Sequence, residues 1–93
     1  MKAEKILEFA ISGWVAPESM GVCDIEKGRT YSDYFFGLCD DLETDDGKFF
    51  WFWVDNDSYY GALTKIRQIC GWKCADIELP TKDGWYVLMK IDD

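Results

Sequence analysis

Ninety-three residues, with 18 acids against 10 bases, a formal net charge of −8 and no histidine, exclude much before any motif is sought. A chain this short folds as one domain, residues 1–93, and its negative field repels nucleic acid and anionic membrane surfaces. Intrinsic disorder is excluded too, because aromatics make up 17% of the residues, five of them tryptophan, more apolar surface than a solvated acidic tail carries.

No segment approaches the ~20 consecutive apolar residues of a membrane helix. The opening Met1-Lys2-Ala3-Glu4-Lys5 leads into a stretch interrupted by Glu8, not into the apolar core of a signal peptide. The expected compartment is the cytoplasm, where the sequon-like Asn56-Asp57-Ser58 is a chance match.

In residues 5–15, Leu7, Phe9, Ile11 and Val15 share one parity, which is strand spacing. Leu7, Ala10, Ile11 and Trp14 also fit a helix, but the Ile, Phe, Trp and Val content and Ser12-Gly13 favour a strand. Residues 16–29 hold Pro17, Gly21 and Gly28 and read as a loop with one short element near Val22-Cys23. Thr30-x-x-Asp33 is a capping signal. It predicts a helix with Tyr31, Phe35, Leu38 and Leu42 in one stripe, weakened by roughly 1 kcal/mol at Gly37.

After Gly47, residues 48–54 are apolar on both faces and predict a central strand. Asp55 and Asp57 then precede a second helix reaching about Cys70, with Tyr59, Leu63, Ile66 and Cys70 aligned and Gly71 placed to end it. Ala75, Ile77 and Leu79 alternate with polar residues, a turn follows at 80–84, and Trp85, Val87, Met89 and Ile91 alternate again, so the chain closes in a hairpin. The expected fold is a single small α+β domain in the order β-α-β-α-β-β, a mostly antiparallel sheet with two helices packed on it.

The missing histidine removes the commonest general base, the Ser-His and Cys-His nucleophile pairs and every His-containing zinc signature. No Gly-rich phosphate loop can be placed on a strand-to-helix turn. Cys23, Cys39, Cys70 and Cys74 lack the paired two-residue knuckles of a zinc site and read as four reduced, apolar thiols. An EF-hand counted from Asp41 has Asp46 where glycine is required and Phe52 where the bidentate glutamate belongs. The expectation is a chain with no metal, no cofactor and no enzymatic activity.

The acids divide by position. Asp55 and Asp57 precede a helix, where negative charge is favourable, and Asp33 is the capping-box acid in the first turn of another. Asp40, Asp41 and Glu43 would fall at the C-terminal end of the first helix, each costing about 0.3–1 kcal/mol there, and Asp45 and Asp46 extend the run. Folding has no use for this charge: either it only keeps the chain soluble, or it is kept for contact with something outside the domain. Asp40, Asp41, Glu43, Asp45 and Asp46 would present carboxylates to a basic groove on a partner protein, imitating phosphates. Phe36, which falls off the helix stripe, would be the apolar anchor, with Tyr34 and Tyr60 as further exposed aromatics.

In size and charge alone the chain resembles the small acidic inhibitors, of the anti-CRISPR and anti-restriction kind, that phages and mobile elements encode. That likeness implies a nucleic-acid-handling enzyme as partner and no direct binding of nucleic acid by the chain itself. The alternative is a structural domain that self-associates through its last strand as a sheet edge, giving a homodimer, against which Lys90, Asp92 and Asp93 argue mildly. A binder of small molecules or carbohydrate through stacked Trp and Tyr is a third reading, but core packing accounts for most of those rings.

Overall fold

The computed structural model describes residues 2–39, 42–71 and 76–92. In chain order the elements are helix α1 (Ala3–Ala10), strands β1 (Met20–Ile25) and β2 (Gly47–Asp55), helix α2 (Tyr59–Cys70), and strands β3 (Asp76–Pro80) and β4 (Gly84–Lys90). Single 3-10 turns sit at Pro17–Ser19 and Tyr31–Asp33. The four strands form one antiparallel sheet in the order β1-β2-β4-β3. No helix is long and apolar enough to cross a membrane among the described residues.

The apolar run of β2 is explained by burial on both sides. Phe50, Phe52 and Val54 face the helices and pack with Val87, Met89, Phe9, Ala62, Leu63 and Ile66. Phe49 faces the other way, into a second cluster with Ile25, Leu79, Leu88, Tyr31 and Phe35. Tyr31 and Phe35 come from the long connection between β1 and β2, so that connection covers the second face of the sheet where a helix would otherwise sit.

Four sequence expectations need correction. Residues 3–10 form a helix, not a strand, and the element order is α-β-β-α-β-β. The odd-numbered parity was coincidental: Phe9 is fully buried, whereas Leu7 and Ile11 are 69% and 79% exposed. Packing of Phe9 against the sheet, not a two-residue alternation, decides the element. The Ser12 hydroxyl donates to the Phe9 carbonyl at 2.6 Å and Gly13 adopts φ 81°, which ends the helix.

The helix expected after Thr30 is also absent. Its capping box does form, with the Thr30 N–H donating to Asp33 Oδ2 at 3.3 Å, but only one turn follows. Tyr31 and Phe35 bury as an i, i+4 pair, with the Phe35 N–H on the Tyr31 carbonyl at 2.9 Å. Gly37 at φ 77° then turns the chain away. Beyond it the backbone bonds elsewhere: the Cys39 N–H to the Pro80 carbonyl at 3.0 Å, Leu38 in a bridge with Thr81, and the Leu42 carbonyl to the Tyr31 N–H at 2.9 Å. Tertiary partners for these groups outweigh the helical stripe.

Third, β4 is interior, flanked by β2 and β3, so the last strand offers no edge for a homodimer. The second helix and the closing hairpin form as expected. Asp55 Oδ1 accepts the Ser58 N–H at 2.9 Å before α2, Gly71 ends it at φ 86°, and Tyr59 stacks on Trp85 with centroids 5.0 Å apart. The thiols differ from expectation as well. Cys70 is disulfide-bonded, Cys23 and Cys39 are free, and Cys74 lies outside the described residues.

Candidate protein-binding surface

The acidic segment is held by one residue that sequence reasoning passed over. Thr44, flanked by acids in the chain, is 2% exposed, the single buried polar residue among those described. Its hydroxyl donates to the Glu26 carbonyl and accepts the Arg29 N–H at 3.0 Å. Its own N–H donates to the Arg29 carbonyl at 2.8 Å, its carbonyl accepts from the Gly28 N–H at 3.2 Å, and Glu43 bridges Thr30 beside it. The returning segment 42–44 is therefore stitched to the outgoing segment 26–31. A β-branched residue inside an acidic run was the available signal, because a solvated charge run has no use for a methyl-bearing hydroxyl.

Next to it, the Tyr31 N–H donates to the Leu42 carbonyl at 2.9 Å, and burial, with the nearby Asp45 charge adding to it, raises the Tyr31 phenol above its usual range. The segment's backbone groups thus point inward, and the carboxylates of Glu43, Asp45 and Asp46 are left on the exposed side. Among the described residues, no ion pair reaches any of the three. Asp40 and Asp41 lie outside the described residues.

Replacing Thr44 by valine keeps the shape and removes the hydroxyl. It strands the Glu26 carbonyl and the Arg29 N–H, and is expected to cost about 1–3 kcal/mol in a urea titration. Faster amide exchange at Arg29 and at position 44, whose N–H groups bond across this junction, would accompany the loss.

Phe36 is 92% exposed, the most exposed large apolar side chain among those described. It sits at the turn between buried Phe35 and Gly37 and lines a shallow surface groove with Trp53, Thr81 and Tyr86. Trp53 is fixed there, its indole N–H donating to Thr81 Oγ1 at 3.2 Å. The structure does not bring Phe36 beside the carboxylates. Trp53 and Gly47 lie six positions apart on β2, which places Phe36 and Asp46 near opposite ends of the strand, about 20 Å apart along it.

The other aromatic candidates fall elsewhere. Tyr34 is half-buried and its hydroxyl accepts the Glu26 N–H at 2.9 Å, so it belongs to the loop's own structure. Tyr60 is 78% exposed but lies on α2, across the sheet from the loop. Trp51 and Tyr86 pack edge-on to one another at 5.9 Å, with Phe35 against both. Among the described residues no three acids or cysteines converge as a metal-binding set. Cys23 is a poor nucleophile, its thiol pushed up by burial and then by the Asp24 charge.

No protein-family model, curated protein or solved structure matches the chain. The class is therefore defined by the geometry alone: a small α+β domain whose antiparallel sheet carries two helices on one face and a pinned, acid-bearing loop on the other.

Proposed function

We propose that this chain is a protein-binding module, an inhibitor that sets its loop-face carboxylates into a basic, nucleic-acid-binding groove of a partner. The observation that carries the reading is the pinned acidic segment. Glu43, Asp45 and Asp46 are exposed, without ion pairs among the described residues, on a backbone held by the bonds of Thr44 and by the Tyr31 N–H on the Leu42 carbonyl. Carboxylates on a fixed backbone lose little entropy when they meet Arg and Lys, which favours them as phosphate substitutes. The net charge of −8 steers a basic surface toward the domain and keeps nucleic acid off it.

The charge opposes no helix dipole, because the element before it is the single 3-10 turn at Tyr31–Asp33 and not an α-helix; it is left outside by a backbone that is bonded inward. The separation of Phe36 also acquires a meaning. A groove that holds about six base pairs is about 20 Å long at 3.4 Å per pair, so one partner groove spans both Phe36 and the carboxylates.

The test is capture of partners from a lysate on the immobilised chain, with duplex DNA or RNA added as competitor. A nucleic-acid-handling protein that the competitor displaces, and whose retention falls as salt rises, is the expected result. Partners that nucleic acid does not displace would overturn the mimicry.

A further inference from the structure

The strand order leaves two edges, β1 and β3, and they are not equivalent. The edge of β3 is closed at its end, where the Pro80 carbonyl accepts the Cys39 N–H and Thr81 bridges Leu38. β1 pairs with β2 through six residues in unbroken register. On its other side, among the described residues, no backbone group of Met20–Ile25 takes a partner. The usual guards of an edge are missing too: β1 has no proline, no lysine and no bulge, and Asp24 is its only charge. Gly21 is covered by the Trp51 indole, which lies across it with Nε1 3.0 Å from where a Cβ would stand, filling the place of the missing side chain.

We propose that this edge is a self-association site, at which a second copy of the chain pairs its own β1 antiparallel and the sheet continues through a two-fold axis. A two-fold that keeps both helix faces on one side pairs only residues of like parity. The register centred on Val22 sets Val22 against its copy, Gly21 against the copy's Cys23 and Met20 against the copy's Asp24. Val22 is 45% exposed, the one exposed large apolar residue of β1, and borders a surface hollow with Ala3, Ile6 and Ile91. The second copy covers that hollow from both sides of the axis.

The same register answers the charge problem. The two Asp24 carboxylates end about 13 Å apart along the strands, beyond the ~8–10 Å over which salt leaves charges in contact. Each faces a methionine of the other copy, with Lys48 opposite it in its own sheet. Six paired residues and one hollow per copy bury less than the ~1,600 Å² of a standard interface, so the dimer is concentration-dependent.

The experiment is sedimentation velocity on the full chain over about a hundredfold range of concentration, at low and at high salt. A monomer–dimer equilibrium is expected, shifted toward dimer by concentration and by salt, because both copies carry −8. Val22→Lys, which sets two cations face to face at the axis, should raise the dimer dissociation constant about tenfold or more. Should that variant fold poorly, Val22→Cys in a Cys23→Ser, Cys39→Ser background serves in its place: a mild added oxidant should join it to its own copy as a covalent dimer, and the background alone should not be joined. A monomer at every concentration, a dimer indifferent to Val22→Lys, or no self-crosslink overturns the assignment. The inference rests on sheet topology and not on the carboxylates. Asp45→Lys with Asp46→Lys should leave the dimer in place, and a strictly monomeric chain would leave partner capture untouched.

Discussion

Phe9→Ala should lower the free energy of unfolding by about 3–5 kcal/mol, among the largest single losses available in this chain. Phe9 is fully buried, tilted against Phe52 at 4.9 Å and edge-on to Phe50 at 6.1 Å. It is also the one buried residue of α1. Truncating it therefore opens a cavity under the helix and removes the contact that docks it. Leu7→Ala and Ile11→Ala, at 69% and 79% exposure, should fall within about 0.5 kcal/mol of the parent. Urea titrations of the three variants separate helix from strand. In a strand the three side chains share a face and would show comparable losses, whereas in the helix only Phe9 is costly.

That contrast marks where the sequence was readable. The double-faced apolar run at 48–54, the capped helix ending at Gly71 and the alternating hairpin were legible because each pattern is settled within its own segment or by burial on both sides. Residues 5–15 carried two periodicities at once, and only the position of the sheet chooses between them. The segment after Thr30 failed differently. Its cap and its Tyr31–Phe35 pair are real, but Leu38, Cys39 and Leu42 exchange backbone hydrogen bonds with residues up to 43 positions away, and nothing local announces such partners. Thr44 belongs to the same category: its two acceptors and its donor are 15 to 18 residues distant. The acidic run itself was plain in the sequence. Its physical setting, an inward-bonded loop rather than a helix end, was not.

Charge reversal at Glu43, Asp45 and Asp46 to lysine should reduce affinity for a captured partner at least about 100-fold. Close charge pairs across interfaces couple by about 1.5–7 kcal/mol, and reversal replaces attraction with repulsion. Stability should be unchanged or slightly raised, since the three side chains make no ion pair among the described residues and the chain begins from −8. Unchanged melting with lost capture separates a contact role from a folding role. Thr44→Val supplies the opposite pattern: the carboxylates all remain, but their backbone is loosened, so capture should weaken together with stability. Phe36→Ala completes the set. At 92% exposure Phe36 contributes almost nothing to folding, and as the apolar end of a footprint about 20 Å long its loss should cost about tenfold in affinity. That loss should be insensitive to salt, whereas the carboxylates' share fades as salt rises. Titrating both variants by calorimetry at two ionic strengths tests whether one groove spans the two ends. If capture survives the triple reversal, the carboxylates only keep the domain soluble. If Phe36→Ala has no effect, the partner touches the acidic end alone.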